Sequence, residues 1–152
     1  MHLQSPAFFT GNTIPFQYTC DGDNVSPPLS WDSPPNATAS YALIVEDPDA
    51  PKETFTHWVV YNLPADIEYL SEGVVNHPTL PDGGMQGKND FGKLGFGGPC
   101  PPNGTHRYFF KLYALDQMLD LSPGASKADV LAAIEGHVLE AAELMGRYAR
   151  QS

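Results

Sequence analysis

The chain has 152 residues, 41% of them hydrophobic and 17% charged, which suits one globular domain with a real core and excludes a disordered segment. Its net charge is −10, with eight Lys and Arg in all. That balance excludes a nucleic-acid surface and a general attraction to anionic membranes, so any bound anion is held by local donors against the overall field.

The N-terminus, MHLQSPAFFTGN, has neither a basic start nor a long apolar run. Neither a signal peptide nor a transmembrane span is predicted, and a cytoplasmic location is the expectation. Fifteen Pro and fourteen Gly are spread without period, which predicts many bends. Residues 15–20 (PFQYTC) and 28–31 (PLSW) are weak strand candidates. YALIVE (41–46), HWVVYNL (57–63) and RYFFKLYAL (107–115) are stronger: short runs of β-formers bounded by Pro, Gly or Asp. In the last, Tyr108, Phe110, Leu112 and Ala114 share one face, and Arg107, Phe109, Lys111 and Tyr113 the other. Ser126 and Asp129 form a capping-box pattern, and Leu131, Ile134, Val138 and Met145 share a helical face. A helix over about 127–149 is therefore predicted, closing the chain. With no linker and no repeat, residues 1–152 read as a single, mainly β domain with a C-terminal helix.

Cys20 and Cys100 do not form a CxxC motif, which leaves zinc or thioredoxin-like chemistry with little support. Bridged, they would close a loop of about 80 residues, worth about 4–5 kcal/mol in the chain-entropy model. In a cytosol, cysteines more often stay reduced. The sequence leaves the pairing open.

Three segments carry side chains suited to a site. In EDPDAP (46–51), Asp47 ends a strand, and Pro48 and Pro51 fix φ at two of the next four positions. The same residues are also ordinary turn chemistry. His57 opens a strand and shares a face with Val59 and Tyr61, as a packed core histidine would. In GGPCPPNGTHRY (97–108), His106 and Tyr108 are two apart and point to one face, at the mouth of an apolar surface. Arg107 points away and is expected to brace a carboxylate such as Asp49. In the glycine-rich GKNDFGKLGFGG (87–98), Asn89 and Asp90 are expected to brace the loop through side-chain to backbone bonds. This stretch lacks the strand–GxxxxGK[ST]–helix order of a nucleotide P-loop.

DPDAP (47–51), THWVVYNLP (56–64), NDFG (89–92) and GGPCPPNGTHRYFFKLYALD (97–116) together resemble the phosphatidylethanolamine-binding protein family. The similarity is closest to its bacterial and archaeal, Raf kinase inhibitor-like branch. It extends to CDGDNVSPPLSW (20–31) and EGHVLEAAELMGRY (135–148). The resemblance implies two antiparallel sheets in a Greek-key arrangement and a small anion pocket near the surface. Its ligand-binding residues would be Asp47, Pro48, Ala50, Pro51, His57, His106 and Tyr108, with Pro99 or Pro101 at the rim, and Asp49, Arg107, Asn89 and Asp90 as support. It implies phosphate or a phosphoethanolamine headgroup as ligand, and a kinase or protease as a possible protein partner.

The chemistry of those residues agrees, since imidazole N–H and phenol O–H groups donate to phosphate oxygens. No serine lies in a G-x-S-x-G elbow and no nucleophile–base pair is evident, so a binding protein without catalytic residues or cofactor is expected. The alternative is an enzyme in which Asp47, His57 and His106 form a 2-His-1-carboxylate metal site or an acid–base set for a phosphoester. A monomer or a homodimer fits equally.

Overall fold

A computed structural model describes residues 1–150. Its strands are β1 (His2–Gln4), β2 (Leu29–Asp32), β3 (Ser40–Asp47), β4 (Phe55–Pro64), β5 (Tyr69–Leu70), β6 (Met85–Gln86), β7 (His106–Leu115) and β8 (Val138–Tyr148), with one helix, α1 (Lys127–Ile134), before the last strand. They form two antiparallel sheets, a three-stranded one in the order β1-β2-β5 and a five-stranded one in the order β6-β4-β3-β7-β8. The fold is mainly β, as expected.

Strand β3 is central and buried along its whole length, which is why it reads as a nearly unbroken apolar run. Tyr41, Leu43 and Val45 face the smaller sheet and pack with Trp31, Trp58, Phe110, Leu112 and Leu144. Ala42 and Ile44 face the other way, toward Val130 and Ile134 of α1 and Tyr61 of β4. The arrangement is three layers, small sheet on large sheet on helix. Buried polar groups are tied in: Gln86 accepts from Trp58 Nε1 at 2.7 Å and donates to the Val75 and His77 carbonyls at 2.7 and 2.9 Å. Glu46, on the helix side of β3, is buried and paired with Lys111 at 2.7 Å and with Lys127.

Two sequence expectations fail. The helix begins where the capping box places it, with Ser126 and Asp129 bonding reciprocally, but it ends at Ile134. Gly136 then turns the chain with φ of 83°, and residues 138–148 run as a strand along β7 with partners from Leu115↔Val138 to His106↔Tyr148. Ala142, Leu144, Gly146 and Tyr148 alternate inward, with Glu143, Met145 and Arg147 between them. Helix-favouring Ala, Glu, Leu and Met are overridden because β7 offers an open edge and a core to fill. The second failure is 15–20, where Phe16–Tyr18 forms a single 3₁₀ turn and no strand. Among the described residues, no helix is long and apolar enough to cross a membrane.

Candidate functional site

The adjacent central strands β3, β4 and β7 bring four side chains from three distant segments to one end of the large sheet. Asp47 is the last residue of β3, His57 lies near the start of β4, and His106 and Tyr108 open β7. All four are buried. They surround a cavity of ≈ 190 Å³ walled by Ala50, Pro51, Phe55, Phe91, Pro101 and Pro102, with Cys100 also on its lining.

The polar groups are held in defined orientations. Asp47 Oδ2 accepts from His106 Nδ1 at 2.6 Å, and its Oδ1 accepts the Asp49 backbone N–H at 2.8 Å. His57 Nδ1 lies 2.7 Å from the Gly97 carbonyl. A carbonyl can only accept, so Nδ1 carries the proton and Nε2 is the ring nitrogen left for the cavity. Burial pushes the His57 imidazole below its ordinary value, against smaller opposing effects of Gly97 and Asp47, which favours the neutral ring. Tyr108 differs: its hydroxyl is buried beside the Asp47 carboxylate and the Cys100 backbone but makes no hydrogen bond of good geometry among the described residues. Burial, and secondarily the nearby Asp47 carboxylate, push its phenol far above the usual range, so it stays a donor. The rings themselves interlock. His57 meets Tyr108 edge-on at 5.2 Å, Phe55 at 5.0 Å and Phe91 at 5.5 Å between centroids.

The supporting residues do what the sequence suggested. Arg107 turns outward, and its Nε and Nη2 donate to the two carboxylate oxygens of Asp49, both at 2.9 Å. That fork holds the Asp49 carboxyl down to about 2, Arg107's hydrogen bond being the leading cause. It also straps the DPDAP turn to β7. Asn89 donates to the Gly95 carbonyl and accepts from the Phe91 and Lys93 amides at 2.9, 2.9 and 3.2 Å. Asp90 accepts the Thr56 amide at 2.7 Å, fixing the glycine-rich loop to β4.

Two expected wall residues are placed elsewhere. Pro48 lies in the turn closed by Asp47 Oδ1 and the Asp49 amide, and its ring is exposed. Pro99 is buried outside the cavity lining, with its carbonyl accepting from Cys20 N–H at 3.1 Å. Their neighbours Pro101 and Pro102 form the wall instead. Sequence reasoning missed Phe55, Phe91 and Pro102. Phe55 was findable, since it precedes His57 by two on the same strand face; Phe91 was not, because an irregular loop aims it. Cys20 and Cys100 are joined in a disulfide with Cα atoms 5.4 Å apart, which closes the question the sequence left open.

Among the described residues, no group of three or more His, Cys, Asp or Glu is placed to hold a metal ion.

The protein is a mainly β fold in which a buried Asp–His pair, a second histidine and a buried phenol line a proline-walled cavity at one sheet end. The sequence profile of the family "Phosphatidylethanolamine-binding protein" matches residues 4–149, and the chain belongs to that family. It is 59% identical over 150 residues to a UPF0098 protein of Methanothermobacter thermautotrophicus, covering 99% of both chains. It is 48% identical over 155 residues to a UPF0098 protein of Aquifex aeolicus, covering 99% of this chain and 89% of that one. Among solved structures it resembles the phosphatidylethanolamine-binding protein homolog CT736 of Chlamydia trachomatis, with a TM-score of 0.91, 41% identity and coverage of 99% and 97%. It also resembles E. coli YbcL, a member of the same family, with a TM-score of 0.91, 35% identity and coverage of 99% and 98%.

Proposed function

We propose that this protein binds a small anion, phosphate or a phosphomonoester headgroup such as phosphoethanolamine, in the cavity between Asp47, His57, His106 and Tyr108, and that it acts by binding and not by catalysis. The observation that carries the reading is the Tyr108 hydroxyl. A buried donor with no well-formed hydrogen bond, only Asp47 and the Cys100 backbone nearby, is costly in an empty protein, and a phosphate oxygen placed in the cavity would satisfy it. The two histidines supply complementary groups. With Nδ1 donating to Asp47 or Gly97, each Nε2 accepts from a ligand P–OH or ammonium when neutral and donates to an oxyanion when protonated. Asp47 does not oppose the anion as a free carboxylate would, because each of its oxygens accepts a hydrogen bond from the protein.

The headgroup reading adds the rim. Phe91 is 45% exposed, and Pro51 and Pro102 are exposed beside it. They offer apolar surface to whatever carries the phosphate, whether a lipid glycerol or a modified residue of a protein partner such as a kinase or protease. A cytoplasmic site of action belongs to the same proposal.

A thermal-shift screen with phosphate, phosphoethanolamine and nucleotides tests it. A ligand at about 100 times its Kd adds about 2.7 kcal/mol of stability, which for a chain of this size raises Tm by roughly 5–10 °C. Phosphate and phosphoethanolamine should shift the wild type, and the shift should be lost in His106→Ala. No shift with any phosphorylated compound removes the anion reading. Stoichiometric uptake of a divalent cation that His57→Ala abolishes would favour the metal alternative.

A further inference from the structure

The wall of the cavity is weakly held by its backbone. Pro99, Pro101 and Pro102 have no N–H, so of residues 99–102 only Cys100 can donate. Among the described residues, one backbone-to-backbone bond ties this stretch to the rest of the fold, Cys20 N–H to the Pro99 carbonyl at 3.1 Å. The segment before it is well anchored: Gly97 N–H donates to the His57 carbonyl at 2.9 Å, and Gly98 N–H to Asn24 Oδ1 at 2.8 Å. A Cβ on Gly98 would run into the Tyr18 carbonyl and Asn24. The segment after it, Pro102–Thr105, is exposed until β7 begins at His106. Between these anchors the covalent tether is the Cys20–Cys100 disulfide.

The disulfide also stands at the ligand cavity. Cys100 lines both that cavity and a neighbouring one of ≈ 220 Å³, which is bounded by Cys20, Asn24, Asn76, Asn89 and Lys93 among others. The two cavities share Phe91 and Cys100 as a partition. Both cysteines are partly exposed.

We propose that the Cys20–Cys100 disulfide is a redox clamp on the ligand pocket: closed, it holds Cys100, Pro101 and Pro102 in the wall, and its reduction releases the wall and weakens anion binding. The proposal rests on the anion-binding reading above. The reductant is a dithiol. One of its thiolates attacks a cysteine sulfur, the protein S–S bond breaks with formation of a mixed disulfide, and the second thiol displaces the other cysteine. The protein gains two electrons and two protons as two thiols, and the dithiol leaves as a cyclic disulfide. Apart from Cys100 itself, no cavity side chain is altered; what changes is the fraction of time the wall is in place. If the released wall is in position a tenth of the time, apparent affinity falls about tenfold.

The test compares oxidised protein, dithiothreitol-reduced protein and Cys20→Ser, which removes the tether and leaves Cys100 in the wall. Inorganic phosphate is titrated calorimetrically into each. Amide exchange is followed at Gly97, Gly98 and residue 20, whose N–H donates to the Pro99 carbonyl, with β3 and β4 amides as a control. Reduction and Cys20→Ser should each raise the Kd about tenfold and speed exchange at residue 20, with β3 and β4 still protected, and dithiothreitol should not weaken the variant further. A Kd within twofold of the oxidised protein overturns the clamp. So does loss of protection throughout β3 and β4, which would make the bridge a staple of the whole fold. If the oxidised protein binds no phosphate, the anion reading has failed, and the exchange data then judge the clamp alone: unchanged protection at residue 20 refutes it, and faster exchange confined to the wall upholds it as a conformational device.

Discussion

Replacing Tyr108 by Phe separates ligand binding from folding, because the two should move in opposite directions. The ring stays, with its edge-on contact to His57 at 5.2 Å, and only an oxygen that makes no well-formed hydrogen bond among the described residues is removed. An unsatisfied buried hydroxyl costs about 1–3 kcal/mol. The ligand-free variant should therefore be more stable, by about 1–2 kcal/mol, or roughly 2–8 °C in Tm. A hydrogen bond to a charged oxygen is worth about 1.5–3 kcal/mol, so phosphate should bind about 10- to 150-fold more weakly. Differential scanning calorimetry with and without phosphate reads both effects. A variant that loses more than about 1 kcal/mol without ligand would show that the hydroxyl has a partner in the folded protein. One that keeps the full phosphate shift would show that the hydroxyl does not meet the anion.

Acid should destabilise the protein in stages, with one sign throughout. Hydrogen bonds from Lys111 and Lys127 outweigh the burial that would raise the Glu46 carboxyl and leave it lowered, and Arg107 holds Asp49 at about 2. Both contribute stability that is present above the ordinary carboxylate range and is lost as pH falls through it. The buried His57 is kept neutral, so the unfolded chain takes up its proton first and stability begins to fall below about pH 6.5. Tm measured from pH 7.5 to 2.5 should decline without a maximum in that interval, and His57→Asn should flatten its upper limb. Gln86→Leu should cost about 2 kcal/mol or more in urea unfolding, because it strands the Trp58 indole N–H and two carbonyls; a neutral result would contradict the buried bond. Leu144→Ala should cost about 2–5 kcal/mol and Leu139→Ala under about 1 kcal/mol, since Leu144 is 2% exposed and Leu139 39%. Equal costs would argue against the inward alternation of β8.

Much of this molecule was readable before its structure, for reasons that can be named. YALIVE and RYFFKLYAL are strands wherever the chain places them, because β-branched and aromatic residues between Pro and Asp clusters have few other uses. The facing of His106 and Tyr108, and the outward turn of Arg107, follow from a two-residue period alone. The end of the chain was misread because its local and tertiary preferences conflict. Ala141, Ala142, Glu143, Leu144 and Met145 favour a helix in isolation, and only the unpaired edge of β7 makes them a strand. Gly136 and the alternation from 142 to 148 were the available signals. The wall was half legible for a different reason. That PCPP is rigid is plain from its prolines, but which proline faces the cavity depends on how Pro99 and Cys100 are pinned to Cys20, a contact across 80 residues. Local sequence holds no record of such a pairing.

The proposed function depends on where phosphate binds. Titration with inorganic phosphate, followed by proton–nitrogen correlation for the amides and imidazoles and by proton–carbon correlation for the Tyr rings, reads that location residue by residue. Saturable shifts should gather at the His57 and His106 imidazoles, the Tyr108 ring and the amides from Gly97 to His106, and their midpoint should move to about 10- to 150-fold higher phosphate in Tyr108→Phe. Saturable shifts centred elsewhere, for example on the apolar groove along Tyr69–Val75 and Leu80, or no saturable shift at all, would contradict the proposed site.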